Sequence, residues 1–301
     1  MRILFLVTCG FVGWLSAEAQ VKKQFLVENN ESCKLIRLNL KANSGNCFIK
    51  PSQNPEILNV FSNQTEQEFS HRLSKTIRGV NCDVNLELED QTQKSISESI
   101  SSRMFTATEV KSSGTPNKFW KMYLTNSKPY ALEMAYGMGN ANVDLSGLAI
   151  KKLKINSGSA DVIVNYVSGV ENQVEMDTFF VKVDLGSVTV KNLSMAKAKC
   201  LLADVGFGNI SLDFSQKPLV GNTIKGSVGA GNLTIILPTD QTPVAVRIKD
   251  SWLCSIKMPA SLKKTGENTF ATANYVKGDK NALIFDLDVS MGNIIFKESG
   301  N

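Results

Sequence analysis

Histidine is almost missing from this sequence: of 301 residues only His71 is one, which excludes histidine-rich metal centres and mechanisms that need two imidazoles. No pair of cysteines has zinc-site spacing, and no phosphate-binding glycine loop, dinucleotide fingerprint or calcium-loop pattern occurs. Gly137-Met138-Gly139 and Gly206-Phe207-Gly208 are glycine-rich but open alternating segments rather than helices. Beyond the first nineteen residues no apolar run approaches the roughly 20 residues of a membrane-spanning helix. No cofactor is expected from these absences, and the chain reads as a non-enzyme. Helical periodicity is missing as well.

In its place a five-residue pattern recurs: glycine, then Asn or Ser, then two apolar positions separated by one other residue. The copies begin at Gly45, Gly139, Gly158, Gly186, Gly208, Gly231 and Gly292, spaced 94, 19, 28, 22, 23 and 61 residues apart. In a strand, residues two apart share a face, so each copy supplies an inward pair and an outward residue between them. The outward residue is polar in Asn142, Asp161, Thr189, Ser211 and Thr234. The central spacings suit a stack in which a short strand and its return form one rung. The competing arrangement is a sandwich with Gly-Asn hairpins, which does not demand a constant phase after every glycine. The expected fold is all-β, a single-stranded β-solenoid with rungs of about 19–28 residues. Positive φ is expected at the seven glycines. Stacking is expected to align Asn140, Ser159, Ser187, Asn209 and Asn232 in a polar ladder.

Alternation continues in the long gaps, through Val80, Cys82, Val84, Leu86 and Leu88, and later through Val244, Val246 and Ile248 and through Trp252, Cys254, Ile256 and Met258. The gaps are therefore read as degenerate rungs of one elongated domain over 20–301, with irregular rungs in 20–129 and regular ones in 130–301.

Residues 1–19 have the form of a secretory signal: Arg2, an apolar stretch from Ile3 to Leu15, and Ala17-Glu18-Ala19 before Gln20. Cys9 invites lipidation, but Thr8 before it and the continuing apolar run argue against that. The mature chain is expected in the periplasm, on the cell surface or outside the cell, without a transmembrane segment. Of its cysteines, Cys33, Cys47, Cys82, Cys200 and Cys254, an odd number remains, and the shared inward phase of Cys47 and Cys82 makes them the expected bridge.

The formal charge of +5 is concentrated at Lys151, Lys152 and Lys154, at Lys197 and Lys199, and at Lys263 and Lys264. Such lysines keep an outer face soluble and discourage edge pairing, and they attract anionic glycans or lipid head groups. The partner is left open between an envelope protein, a glycan and an anionic lipid head group, with nucleic acid excluded for an exported chain without a binding motif. End-to-end or edge-mediated self-association is a further option. The alternative function is a glycan-processing enzyme using outward carboxylates such as Asp144 and Asp213, with Lys191 and Asp213 as rung neighbours. Glu171, Glu175 and Asp177 are an acidic group whose spacing matches no calcium loop. The serine-rich stretch 95–102 and residues 111–116 read as exposed connections. Phe119, Trp120 and Tyr123 offer aromatic surface or core.

The segments 155–162 and 183–190, each an apolar-alternating run turning through Gly-Ser into a second strand, resemble the bacterial toast-rack family of adhesin-like domains. The likeness is best from about Tyr130 to Phe296. It implies a solenoid displayed at the cell envelope and carries no catalytic residues across. The chain lacks the transmembrane segments of many such proteins.

Overall fold

A computed structural model describes residues 23–65, 67–91, 118–239 and 241–300. The signal segment and the stretches 95–102 and 111–116 lie outside the described residues.

Two sheets face each other, sheet A with eleven strands and sheet B with twelve. A regular rung is one strand of sheet B, a three-residue corner, one strand of sheet A and a connection back. The consecutive rungs are β8 (Pro129–Tyr136) with β9 (Asn140–Asp144), β10 (Ala149–Ser157) with β11 (Asp161–Asn165), and β12 (Met176–Val183) with β13 (Ser187–Lys191). β14 (Ala198–Val205) with β15 (Asn209–Asp213) and β16 (Asn222–Val228) with β17 (Asn232–Leu237) continue the stack. Equivalent strands pair in parallel. The chain is an all-β solenoid.

Alternation makes the core. Register lines up Ala141, Val162, Val188, Ile210, Leu233 and Ile294, and two residues on it lines up Val143, Val164, Val190, Leu212, Ile235 and Phe296; all twelve are buried. Each aliphatic side chain of this size contributes about 1.5–3 kcal/mol on leaving water. The connections are tied down by buried amides. Asn172 receives the Ile150 amide at 2.8 Å and donates to the carbonyls of Ile150, Val174 and Ala196.

The corner glycines serve a purpose other than the one their residue type suggests. Only Gly45 and Gly139 of the seven have positive φ, at 101° and 98°. The others occupy ordinary backbone space and are needed for closeness: a Cβ on Gly208 would lie 2.3 Å from the Gly186 carbonyl oxygen, and one on Gly231 2.0 Å from that of Gly208. Rung-to-rung hydrogen bonds pull the corners together, as from the Asn209 amide to the Gly186 carbonyl at 3.0 Å. The copy at Gly158 is displaced by two residues: Asp161 pairs with both Asn140 and Ser187, so Ala160 and Asp161 stand where other rungs have Gly and Asn or Ser. A two-residue slip preserves the inward phase, which is why Val162 and Val164 still face the core.

Both ends depart from chain order. β2 (Leu35–Ala42) and β3 (Asn46–Ser52) make the second rung of the stack, and the end rung outside it is β6 (Asn81–Asp90) with β7 (Phe119–Thr125). At the other end β18 (Val244–Lys249) and β19 (Ser255–Lys257) form the last rung before β22 (Leu283–Val289) and β23 (Asn293–Glu298) insert between it and β16 and β17. The gaps of 94 and 61 residues hold these displaced rungs and, apart from β1, the antiparallel strands that cap them. β1 (Lys23–Val27) and β4 (Leu58–Ser62) cap sheet A, and β5 (Phe69–Arg78) caps sheet B. β20 (Lys263–Gly266) and β21 (Thr269–Ala271) close the far edge of sheet B. Arg72, Lys75 and Arg78 on β5, and Lys263 and Lys264 on β20, put exposed charge on the two edges of sheet B, where it opposes pairing with another chain.

The disulfide joins Cys33 to Cys82, with 5.5 Å between their Cα atoms, and not Cys47 to Cys82. Cys33 lies two residues before β2 and Cys82 lies on the adjacent strand β6 of sheet B. Cys47 also points inward, but from sheet A, between Trp120 and Ala141 on the neighbouring strands. Facing sheets are about 10 Å apart and a bridge needs Cα atoms within about 7 Å. Cys47 is a free, fully buried thiol whose pKa burial pushes far up.

Candidate functional site

The outer faces of the two sheets are built differently. On sheet A the first outward position of each rung forms a line of uncharged or singly charged short side chains: Asn46, Asn140, Asp161, Ser187, Asn209, Asn232 and Asn293. Asp161 occupies the place expected for Ser159. The Ser187 hydroxyl donates to Asp161 Oδ1 at 2.6 Å, Asn232 Nδ2 to Asn209 Oδ1 at 2.6 Å, and Asn293 Nδ2 to Asn232 Oδ1 at 2.6 Å. Amides and hydroxyls thus bridge the rungs without ion pairs.

Sheet A changes character at its N-terminal end. β7 alternates sharply: Trp120, Met122 and Leu124 are buried, while Phe119, Lys121 and Tyr123 face out. Trp120 meets Phe69 edge to face at 4.4 Å and belongs to the core. Phe48 of β3 and Phe61 of β4 pair on either side of Lys121, and Phe61 meets Tyr123 edge to face at 5.8 Å. Lys121 Nζ lies 4.7 Å from the centre of the Phe119 ring. Phe48, Lys50, Lys121, Met122 and Tyr123 line a cleft of about 280 Å³. Four half-buried rings around two exposed ammonium groups make an amphipathic platform.

Charges on sheet B are largely neutralised across rungs. Lys154 meets Glu133 at 2.5 Å, Lys199 meets Glu175 at 2.6 Å, Arg72 meets Glu87 at 3.0 Å, and Lys249 meets Asp288 at 3.4 Å. Arg247 bonds Asp286 through both Nε and Nη2, and the guanidinium holds that carboxyl below the usual aspartate range. Sheet A differs: among the described residues its outward Lys50, Lys121, Lys191, Lys257 and Lys297 have no carboxylate partner.

The residues singled out by sequence are dispersed by this architecture. Asp144 and Asp213 both face out on sheet A, each accepting from a serine two residues on, Ser146 and Ser215. Their strands are three steps apart, so the carboxylates are separated by about 14 Å, beyond the roughly 5–10 Å of a glycosidase pair. Lys191 and Asp213 lie on neighbouring strands without an ion pair. Glu171 is taken by Lys197 at 2.8 Å and Glu175 by Lys199, whose ammonium holds that carboxyl low. Among the described residues no cluster of three metal-ligating side chains occurs. His71 stacks on Phe25 at 4.5 Å in the N-terminal cap. Sequence reasoning put Phe48 at an outward position of the repeat without joining it to a site, and missed Phe61 as a surface residue. The alternation of Phe119, Lys121 and Tyr123 with Trp120, Met122 and Leu124 carried the signal for β7.

Among the described residues no helix is long and apolar enough to cross a membrane. No curated protein matches the chain. Among solved structures it is similar to a putative cell adhesion protein from Clostridium sporogenes, at 16% identity and TM-score 0.43, covering 92% of this chain and 99% of that one. It is also similar to a putative adhesin from Bacteroides fragilis, at 12% identity and TM-score 0.33, covering 92% and 96%. A putative lipid binding protein from Parabacteroides distasonis aligns at 11% identity and TM-score 0.33, covering 92% and 94%. The family model for the N-terminal domain of toast_rack, DUF2154, matches residues 16–191, more than half of the sequence, and the chain belongs to that toast-rack family.

Proposed function

We propose that this protein is an exported, non-enzymatic scaffold that holds an acidic glycan of a cell envelope or surface against the N-terminal end of sheet A. The observation that carries this reading is the platform of Phe48, Phe61, Phe119 and Tyr123 around Lys50 and Lys121, whose ammonium groups have no carboxylate partner among the described residues. Aromatic rings cover the apolar faces of sugar rings, and unneutralised lysines attract uronate or sulfate groups. The line of Asn and Ser side chains beside the platform, interrupted by Asp161, supplies donors and acceptors for hydroxyls. Export rests on the character of residues 1–19. The separation of Asp144 from Asp213 weighs against hydrolysis.

Mature protein is incubated with acidic and neutral surface polysaccharides, and retention and newly formed reducing or unsaturated ends are measured. Retention of the acidic polymer is expected, reduced at least tenfold by Tyr123→Ala or Lys121→Gln, with no new ends. Ends that increase with protein concentration and vanish in Asp144→Asn or Asp213→Asn would replace this reading with an enzymatic one.

A further inference from the structure

The outer face of sheet B carries a second, independent concavity. Across it runs a row fixed by register: Thr76 of β5, Asp83 of β6, Arg37 of β2, Ala131 of β8, Lys152 of β10 and Thr178 of β12. Ala131 is the smallest member, and its neighbours on both sides are long cations. The β2 and β10 backbones are two strand spacings apart, about 9.6 Å, with only a methyl group between the Arg37 and Lys152 stems. The result is a cleft of about 570 Å³, within the range of small-ligand sites.

Its charge is not balanced internally. Arg37, Arg78, Lys152 and Lys154 line it against Asp83 and Glu133, leaving two positive charges in excess. Glu133 is taken up by Lys154 at 2.5 Å. Asp83 is shared by two guanidiniums, Arg78 at 3.6 Å and Arg37 at 3.7 Å. The Arg37 contact is longer than a hydrogen bond, and the buried Asp83 Oδ1 accepts none, so the donor fork of Arg37 is uncommitted. Lys152 has no carboxylate partner among the described residues. A bulge in the β8 and β10 pairing between Ile150 and Lys152 leaves both Lys151 and Lys152 exposed, where strict alternation would turn one of them inward.

We propose that this cleft is an oxyanion-binding site that takes a phosphate group over Ala131, between the guanidinium of Arg37 and the ammonium of Lys152. A planar fork and a point charge facing each other across a small floor suit a tetrahedral oxyanion. The phosphate is borne either by a small solute or by a lipid head group, and the two sources are separable by experiment. The site is on the face opposite the aromatic platform and does not depend on glycan binding there.

Inorganic phosphate is titrated calorimetrically into the full mature chain, and the same chain is co-sedimented with phosphatidylglycerol and with phosphatidylcholine vesicles. Saturable phosphate binding is expected, weakened at least tenfold by Lys152→Gln and by Ala131→Leu, which fills the floor, and unchanged by Lys217→Gln on an exposed connection. Unfolding midpoints of the variants are compared with that of the parent to show that they remain folded. Lys152-dependent retention on phosphatidylglycerol vesicles assigns the phosphate to a head group, and phosphate binding without vesicle retention assigns it to a solute. Absence of both kinds of binding, or binding indifferent to both Lys152→Gln and Ala131→Leu, overturns the proposal.

Discussion

Replacing Gly208 by alanine tests the central packing claim, that rungs touch at the corners through backbone alone. Gly208 has ordinary φ, so no strain arises from the dihedral. The added Cβ would lie 2.3 Å from the Gly186 carbonyl oxygen, 2.3 Å from Val183 Cγ1 and 3.0 Å from the Leu185 carbonyl carbon. A valine rotamer can yield; the carbonyl cannot without breaking the bond from the Asn209 amide to the Gly186 carbonyl. Overpacking costs about 1–3 kcal/mol when side chains can shift, and a lost hydrogen bond adds about 1, so a loss of roughly 2–4 kcal/mol is expected. Urea unfolding should show this as a lower midpoint at constant slope. Gly79→Ala is the contrasting substitution, because Gly79 has φ of 61° and open space around the would-be Cβ. Its cost should be about 1–2 kcal/mol, from backbone strain alone. If Gly208→Ala were neutral within about 0.5 kcal/mol, the rungs would have slack at the corner and the reason given for its glycine would be wrong. Ala160 stands at the equivalent place in the β10 and β11 rung and keeps the matching bond, from the Asp161 amide to the Gly139 carbonyl at 2.9 Å, but there the glycine beneath, Gly139, has positive φ, unlike Gly186 beneath Gly208.

Non-reducing peptide mapping should recover Cys33 linked to Cys82 and Cys47 as a thiol; reduction opens a loop of 49 residues and should cost about 4 kcal/mol, measured as a shift in unfolding midpoint. In the folded protein Cys47 should resist alkylation at pH 8 while the partly exposed Cys200 and Cys254 react; rapid labelling of Cys47 would contradict its burial. Asp286 titrates below its unfolded value because of Arg247, so its stabilisation is present above the unfolded aspartate pKa and is lost as pH falls through the folded one. Asp286→Asn should therefore flatten the acid limb of the stability curve, with only a weak double-mutant coupling to Arg247→Ala, and a strong coupling would mean the pair is not solvent-screened.

The sequence makes the rung legible because burial imposes a period of two on every strand, and the corner glycines mark where that period restarts. Period two does not report which strand lies beside which. That is why nothing in the run Val80 to Leu88 reveals that β6 is placed outside β2, or that β22 inserts between β16 and β18. The two-residue displacement at Gly158 is invisible for the same reason, since Ala160 and Val162 keep the same parity in either register. Inward phase made Cys47 and Cys82 look alike, while the facts that separate them, one in each sheet, are tertiary. The platform was half legible: β7 announces its outward residues, but Phe48 occupies a position that is polar in five other rungs, and only the neighbouring Phe61 and Lys121 give it meaning.

Cohesion between rungs and availability of charge are set against each other on the two faces. Sheet B holds its rungs in part with exposed ion pairs, which take up Lys41, Lys154, Lys199 and Lys249 and leave Lys152 without a carboxylate partner among the described residues. Sheet A uses neutral amide and hydroxyl contacts for the same purpose, and among the described residues its outward Lys50, Lys121, Lys191, Lys257 and Lys297 have no carboxylate partner. Salt should therefore separate stability from binding. Raising ionic strength from 0.1 to 1 M shortens the screening length from about 10 to about 3 Å. Retention of an acidic glycan through Lys50 and Lys121 should fall steeply over that range, while the urea midpoint changes little because exposed pairs contribute little to begin with. Retention that ignores salt would leave the aromatic rings as the binding element and remove the lysines from the mechanism. Loss of binding and of the folded state together would mean instead that the sheet B ion pairs hold the stack, and that the division of labour between the two faces is wrong.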